Sequence, residues 1–399
     1  MSQKKILFLG GAYAQIPIIS EAKRRGWYII TCDYLPENPG HRLADEYHNI
    51  STTDFKGVLK LAKKVKPDFV VAYASDPAAP VAAYVSEKLK LPGNTYQSIQ
   101  LLAEKDLFRV FLTKNGFNAP KAISIKQDEE VSEKMDSLQL PVIVKPTDSS
   151  GSKGVTKVTS LDQLHVATEY AFPFSRNKRI IIEEFIETNG EQLHGDGFVL
   201  DGELIFSYLG DHHYDTRVNP FVPYSTTWPS LKNEDTIASV EEVLKRAVRL
   251  SGYKNGPINI EARVADDGKI YIMEIGPRSG GNFVPQIINY ATGFDMVKAA
   301  LDVQCGNTIS NIPKKKGIAA YYVIHSEYNG VLKQLSFDDR IIAYTKEFHQ
   351  YIQPGERVKS FQGSNAAIGV LLLVFDKYEE MNYYISNMDS LINLKIEQV

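Results

Sequence analysis

Apolar residues at the start of the chain follow two periods in turn, one typical of β-strands and one typical of helices. The β-rich runs and the helical patterns alternate in the order 4–9, 16–25, 27–33, 55–65 and 68–73. Strands that alternate with helices form βαβ units and a parallel sheet. An amphipathic helical pattern over residues 97–116 follows, and Ala119-Pro120 opens a different region. The sequence therefore predicts an α/β fold that begins with a parallel-sheet domain over residues 1–118.

Beyond residue 119 the patterns are richer in strands. Strands are predicted at 141–145, 154–158, 179–186 and 196–209, and a helix at 234–251. The segment Asn-Ile-Pro-Lys-Lys-Lys-Gly, which starts at residue 311, predicts a linker. Two strands and a closing helix are predicted after it, at 318–324, 367–375 and 377–387. A small C-terminal α+β domain is therefore expected over residues 312–399.

Residues 256–281 read GPINIEARVADDGKIYIMEIGPRSGG and predict a β-hairpin. Asp-Gly at positions 267 and 268 signals a two-residue turn, because both central residues of a type I′ turn have positive φ. In that register Glu261 lies opposite Glu274. Strand alternation then assigns one face of the hairpin to the core. The predicted core face holds Ile260, Ala262, Val264, Tyr271, Met273 and Ile275, and the other face holds Asn259, Glu261, Arg263, Ile272 and Glu274.

Two carboxylates directly opposite each other on one face repel unless a proton or a cation lies between them. Mg²⁺, held jointly by protein carboxylates and phosphate groups, suits Glu261 and Glu274, with Mn²⁺ as an alternative ion. The competing interpretation is a solvated acidic ladder that Arg263 partly neutralises. Arg278 and the flexible backbone of Gly280-Gly281 follow the second glutamate, where they can hold phosphate oxygens.

A second phosphate-binding candidate is the loop in KPTDSSGSKGV, which joins two predicted strands after Lys145. Small residues let backbone N–H groups approach phosphate oxygens, and their flexibility lets the loop close. Lys145 can then reach a phosphate as a point charge. The alternative is an ordinary hairpin loop, and the spacing does not match the P-loop motif GxxxxGK[ST].

The loop after the first strand is an anion-site candidate, because it meets the start of a helix. Gly10, Gly11 and Gln15 belong to this loop, and Asp76 follows the third main strand at the same sheet edge. The loop lacks the spaced glycines of GxGxxG, so a dinucleotide site is disfavoured and a carboxylate or phosphate site is preferred. Asp76 has an alternative interpretation as the start of a helix before Pro77.

Composition excludes several classes of partner. The chain has 399 residues, 43% of them hydrophobic, and a net charge of -3 without a long basic run. Neither nucleic acid nor an anionic membrane is an expected partner, and no apolar run approaches the roughly 18 residues of a membrane span. Two cysteines make no disulfide framework. A cytoplasmic protein with small-molecule ligands is expected.

The order of these motifs resembles the ATP-grasp superfamily over about residues 1–310. The resemblance rests on Lys105, the Lys145 loop, Glu183-Glu184-Phe185-Ile186, Gly190-Glu191 and the glutamate hairpin, in that order along the chain. It implies a Rossmann-like pre-ATP-grasp domain over 1–118, a lid subdomain over 119–186 and a metal-binding catalytic subdomain over 187–311. The tail loosely resembles the small C-terminal domain of the carboxylase-like branch.

The resemblance also implies a role for each motif. Lys105 and Lys145 would hold ATP phosphates, Glu183 and the backbone of Glu184, Phe185 and Ile186 would meet adenine, and Glu191 would bind ribose. Glu261 and Glu274 would hold Mg²⁺, and Arg278 would stabilise the phosphoryl group in transit, with Lys145 assisting. The lid loop would comprise Ser149, Ser150, Gly151, Ser152 and Gly154. One position departs from the family motif Glu-x-Asn-x-Arg, because Gly276 stands in the asparagine position and leaves Asn282 or water as third ligand.

The implied reaction is phosphoryl transfer from ATP to a carboxylate, followed by attack of an amine on the acyl phosphate. Glycinamide ribonucleotide synthetase, carboxyaminoimidazole ribonucleotide synthetase, carbamoyl-phosphate synthetase halves and amino-acid ligases share this layout, and a homodimer is common in the branch. His213 or Arg217 is expected to bind the acceptor carboxylate or to assist proton transfer from the amine, with a structured loop that carries surface histidines as the alternative. The rival function is an ATP-binding sensor or accessory subunit without ligase activity, and a nicotinamide oxidoreductase is a third hypothesis.

Overall fold

The strands of the protein form four sheets, described from a computed structural model that covers residues 3–188, 190–309, 312–314 and 316–398. The first sheet is parallel, with strand order β3-β2-β1-β4, which confirms the predicted α/β start of the chain. Its elements are β1 (Lys5–Leu9), α1 (Ile16–Arg24), β2 (Tyr28–Asp33), β3 (Glu46–Asn49), α2 (Phe55–Val65), β4 (Phe69–Val71), α3 (Ala79–Leu89), α4 (Tyr96–Ala103) and α5 (Lys105–Lys114).

The predicted single helix over residues 97–116 is wrong, because α4 and α5 are separate helices. Glu104 interrupts them with an extended backbone, φ -98° and ψ 115°. Its carboxylate bonds Arg179, and the backbone N–H of Lys105 donates to the carbonyl of Thr147. The helical period continues across this break, which is why apolar spacing does not reveal it. The break starts a new helix at Lys105.

The second sheet is antiparallel and has the order β5-β8-β6-β7. Its buried face packs α7 over Val142, Val144 and Ile182. The elements are β5 (Ala122–Lys126), α6 (Ser132–Met135), β6 (Val142–Pro146), β7 (Thr156–Val158), α7 (Leu164–Ala171) and β8 (Arg179–Glu184).

The third sheet has eight strands in the order β13-β12-β9-β10-β11-β14-β18-β16. The predicted strand over 196–209 is in fact two strands, joined at Asp201-Gly202, where φ is 51° and 84°. This is the same Asp-Gly signal as in the glutamate hairpin. The elements before residue 305 are β9 (Leu193–Leu200), β10 (Glu203–Tyr214), β11 (Pro223–Trp228), α8 (Glu234–Ser251), β12 (Gly256–Val264), β13 (Ile270–Gly276), α9 (Val284–Thr292) and α10 (Met296–Gln304).

The C-terminal segment extends the eight-stranded sheet through the pairing of β11 with β14. The predicted linker from residue 311 lies partly outside the described residues, and the domain limits at 118, 186 and 311 stay predictions. A separate three-stranded sheet has the order β17-β15-β19. The elements are β14 (Ile318–Ile324), β15 (Gly330–Phe337), α11 (Asp339–Ile342), β16 (Thr345–Gln350), β17 (Arg357–Val358), β18 (Gly369–Phe375), α12 (Tyr378–Ser386) and β19 (Ile392–Gln398). No helix in the described ranges is long and apolar enough to cross a membrane.

Candidate active site

One cleft of about 1100 Å³ gathers most of the predicted site residues. Loops at the carboxyl edge of the parallel sheet line one end of it, and the β6–β7 loop and the segment after β8 line the other. Residues from β12 and β13 lie between them. Ligand sites in proteins with open parallel sheets commonly lie at this edge of the strands.

The glutamate hairpin pairs Glu261 with Glu274 as predicted, although the register of its outer half differs. The loop has three residues rather than two, because Ala265 and Lys269 form the last backbone bond before the turn. A bulge next to Glu261 then restores the predicted pairing. The bulge turns Ile272 into the core, where it is 1% exposed, and leaves Met273 lining the cleft. The predicted faces of these two residues are therefore wrong.

The two opposed carboxylates lie in a site that suits a divalent cation. Burial, followed by the charge of Glu274, raises the pKa of Glu261 to about 7. Arg263 offsets the repulsion of the pair only in part, and its hydrogen bonds go to Gln192 at 2.8 Å and to the carbonyl of Ile186 at 2.7 Å. Gln192 in turn donates to Glu261 at 3.0 Å. The solvated acidic ladder is therefore disfavoured, and the oxygen donors fit Mg²⁺.

Lys105 provides a cation beside this pair. Its Nζ lies 3.3 Å from Oε2 of Glu274 and donates to the carbonyl of Ser149 at 3.0 Å. Burial acts to lower the pKa of Lys105, but Glu274 and Asp76 outweigh it, so the pKa is raised. The lysine is thus held charged between the hairpin and the β6–β7 loop. Among the described residues, no three His, Cys, Asp or Glu side chains form a metal cluster, so further ligands would come from phosphate, amide or water.

A buried ion cluster lies behind Lys145. Glu183, which is fully buried, contacts Nζ of Lys145 and accepts from Nε of Arg109 at 2.8 Å. Burial acts to raise the pKa of Glu183, but Arg109 and Lys145 hold it at about 2. Arg109 also donates to the carbonyl of Met273 at the hairpin bulge. The sequence prediction missed Arg109, whose partners are 74 and 164 residues away in the chain.

Asp76 and Arg278 form a bidentate ion pair, with both N–O distances at 2.6 Å. The pair joins the loop after β4 to the segment after β13. Burial acts to lower the pKa of Arg278, but the charge of Asp76 and its hydrogen bonds outweigh it, so the pKa is raised. A Cβ atom at Gly276 would lie 3.1 Å from Oδ1 of Asp76. Glycine at this position therefore leaves room for the ion pair, and a larger side chain would have to displace it.

The β6–β7 loop closes over the cleft. Ser149, Ser150, Gly151 and Ser152 line it, and Oγ of Ser152 donates to the carbonyl of Phe221 at 2.5 Å. Gly151 has φ 68°, and an added Cβ would collide with Oγ of Ser364. The predicted lid residue Gly154 does not line the cleft. A Cβ there would approach Phe174 and Pro146 to 2.9 Å, so this glycine serves packing.

The segment after β8 forms the far wall. Glu184, Phe185, Ile186 and Glu191 all line the cleft, and Glu191 is exposed at its rim. Two cations lie near the ring of Phe185, and the sequence prediction did not link either of them to this residue. Lys157 Nζ is 3.8 Å from the ring centroid and Arg263 is 4.8 Å from it.

The loop after β1 reaches the cleft through Gly10 and Gln15 but not through Gly11. Gln15 is 5% exposed and donates to the carbonyl of Tyr73 at 2.7 Å. Gly11 packs against the ring of His41, which a Cβ atom would enter. The expectation that Gly11 contacts a ligand is therefore not met.

His213 and Arg217 do not line the cleft, contrary to expectation. His213 bonds Thr227 at 2.9 Å, and Arg217 is 53% exposed in ion pairs with Asp215, Glu327 and Asp389. The predicted strand ended at 209, whereas β10 continues to Tyr214. Alternation along this strand turns His212 and Tyr214, rather than His213, towards the cleft.

The chain contains an ATP-grasp domain, because residues 138–286 match the model of that family. It is 27% identical over 274 residues to the carbamoyl phosphate synthase large chain of Thermoanaerobacter sp. (strain X514). The aligned region covers 65% of this chain. The chain spans only about a quarter of that relative, 24% of its length.

Two solved structures show the same fold over nearly the whole chain. An L-amino acid ligase from Bacillus licheniformis has a TM-score of 0.82 at 20% identity, with 100% of both chains covered. The biotin carboxylase domain dimer of the Hydrogenobacter thermophilus 2-oxoglutarate carboxylase, in complex with MgADP and bicarbonate, has a TM-score of 0.77 at 16% identity. It covers 99% of this chain and 91% of that one.

The cleft also holds two stacked imidazoles that the predicted site omitted. The rings of His194 and His212 are 3.9 Å apart, and both line the cleft. Burial lowers the pKa of His194 to about 3 and that of His212 well below its usual range, so both rings are neutral. Asn259, which also lines the cleft, donates to Nε2 of His194 at 2.9 Å. The strand β9 carries His194, and its start before residue 196 was not predicted.

Proposed function

We propose that this ATP-grasp protein is an ATP- and Mg²⁺-dependent ligase that activates a carboxylate as an acyl phosphate for attack by an amine. The observation that carries the proposal is the buried Glu261–Glu274 pair beside Lys105, facing a cleft that Lys145 and Arg278 also line. Two carboxylates and several cations in one cleft match the charges of a metal–nucleotide complex.

The predicted roles of the individual residues fit this proposal. Lys105 and Lys145 neutralise phosphate oxygens, and the Ser149–Ser152 loop covers them with backbone N–H groups. The backbone of Glu184–Ile186 takes the adenine, while Glu191 at the rim takes the ribose. Because both oxygens of Glu183 have cationic partners, its proposed role is to position Lys145 rather than to bind adenine through its carboxylate.

Catalysis in the proposed reaction depends on positioning and charge. Bound Mg²⁺, held by Glu261 and Glu274, would neutralise phosphate charge. The substrate carboxylate attacks the γ-phosphorus, the bond between that phosphorus and the β–γ bridging oxygen breaks, and ADP leaves. The amine then attacks the acyl carbon, phosphate leaves and the amine loses a proton. Arg278, oriented by Asp76, stabilises the phosphoryl group in transit.

The proposal predicts ADP release that depends on an acceptor. The full chain is incubated with Mg-ATP, first alone and then with a pool of amino acids, bicarbonate and nucleotide precursors. ADP should form severalfold faster with the pool and should require the divalent ion. Acceptor-independent binding of ATP without ADP release would favour the sensor or accessory subunit instead.

The cytoplasmic location, the homodimer and the use of Mn²⁺ stay predictions.

A further inference from the structure

Positive charge is distributed unevenly along the cleft. The basic residues that line it are Lys105, Lys145, Lys153, Lys157, Arg263 and Arg278. The region around the loops after β1 and β2 and residues 351–352, here called the acceptor end, is lined by Gly10, Tyr13, Tyr34, Leu35, Tyr351 and Ile352, among others. Within the described part of the chain, neither residues 10–76 nor residues 321–367 contribute a lysine or arginine to the lining.

The charged groups at the acceptor end are carboxylates. Asp33 is 7% exposed and accepts from the backbone of Leu35 at 3.1 Å and from Asn38 at 2.9 Å. Asp76 occupies Nε and Nη2 of Arg278, and the nearby cation Lys105 is paired with Glu274. A phosphate monoester carries a charge of about -1.5 to -2 near neutral pH and is usually held by lysine or arginine. The acceptor end offers no free cation of this kind among the described residues.

The helix start at this end does not replace the missing cation. A short turn at Tyr13–Gln15 precedes α1, and Pro17 at the start of α1 has no N–H group. The amide of Gln15 is bonded to Tyr73. His41 lies behind Gly11, and burial lowers the pKa of its ring, so the imidazole there is neutral. These contacts leave a ligand phosphate without a counter-charge.

Apolar surface is left open at the same end. Tyr34 is 60% exposed and Leu35 is 47% exposed, although both line the cleft. The rings of Tyr13 and Tyr351 lie 4.6 Å apart and join the first loop of the chain to the C-terminal segment. Exposed apolar side chains that line a concave cleft mark a surface that a ligand covers.

We propose that the amine substrate of this ligase carries no phosphate and inserts an apolar or aromatic group between Tyr13, Tyr34, Leu35 and Tyr351, as an amino acid with an apolar side chain would. This inference rests on the proposed ligase function. It gives the C-terminal segment a role in selecting the substrate, because Tyr351 forms part of the pocket. The carboxylate of Asp33 would attract an ammonium group and repel an anionic group on the amine substrate.

The test compares two kinds of amine in the ADP assay. Single L-amino acids form the first set, and glycinamide ribonucleotide and aminoimidazole ribonucleotide form the second, each with Mg-ATP, glycine, formate and bicarbonate. We expect ADP with apolar or aromatic amino acids and none above background with the phosphorylated amines. If ADP forms with a phosphorylated or an acidic amine but not with apolar or aromatic amino acids, the inference is overturned and the ligase function stays intact. No ADP in any mixture would overturn the ligase function itself.

Variants of the aromatic pair test where the amine binds. Tyr13→Ala and Tyr351→Ala should each raise the KM for the amine about tenfold, because each removes an aromatic contact. The KM for ATP should not change, and Tyr351→Phe should restore amine binding. Tyr383→Ala is the control, since Tyr383 is 57% exposed on α12 and does not line the cleft. An unchanged amine KM in both alanine variants would overturn the inference.

Discussion

Glu274→Gln is expected to reduce ATP-dependent turnover by about 10²- to 10³-fold while changing the stability of the fold little. The loss follows from removing one of two carboxylates that face each other across β12 and β13. Stability should change little, because two effects of the substitution oppose each other. It relieves the repulsion that raises the pKa of Glu261, and it removes the ion pair between Glu274 and Lys105.

Turnover and thermal unfolding are measured on the same preparations, so the two effects can be separated. Asp267→Asn is the matched control. It lies in the exposed turn of the same hairpin, where it pairs with Lys269, and should change turnover less than about twofold. A Glu274→Gln protein that keeps more than a tenth of the original turnover would contradict the assignment of the metal site.

Glu183→Gln should be the most destabilising single substitution at the site, with a cost of about 3 to 5 kcal/mol in the free energy of unfolding. It leaves the buried cations Arg109 and Lys145 without their common partner. Lys145 can release its proton, and burial already lowers its pKa, but arginine stays charged. Arg109→Met should cost less, because Glu183 keeps Lys145 as a partner.

Chemical denaturation of four variants tests this ordering. The double variant Glu183→Gln with Arg109→Met should recover part of the loss, since the uncompensated guanidinium is then gone. Glu184→Gln, on the next residue of β8, is the control and should cost less than about 1 kcal/mol, because Glu184 is part-exposed and makes only long or backbone contacts. A cost below about 1 kcal/mol for Glu183→Gln would show that the buried cluster does not stabilise the fold.

Local signals in the sequence predicted the elements that carry the site. Alternating apolar residues around Asp267-Gly268 predicted the facing glutamates, and the structure pairs them. The same reasoning failed for Ile272 and Met273, because strand alternation fixes a face only when the loop length is known. One extra loop residue and a compensating bulge exchanged the faces of these two side chains.

Contacts between distant parts of the chain could not be predicted in this way. Asp76 and Arg278 are separated by 202 residues, and Arg109 and Glu183 by 74. The sequence around a single charged residue does not indicate its partner, so apolar periodicity cannot predict such ion pairs. The His213 prediction failed for a related reason, because the unrecognised extension of β10 decides which of two adjacent histidines faces the cleft.

The transfer of ¹⁸O from a carboxylate to phosphate tests the proposed acyl phosphate most directly. The protein is incubated with Mg-ATP and L-amino acids labelled with ¹⁸O in both carboxyl oxygens, and the released phosphate is analysed by mass spectrometry. If the carboxylate attacks the γ-phosphorus, one labelled oxygen should appear in phosphate for each ADP formed. Acceptor-dependent ADP with unlabelled phosphate would contradict the account, because water rather than a carboxylate would then be the nucleophile.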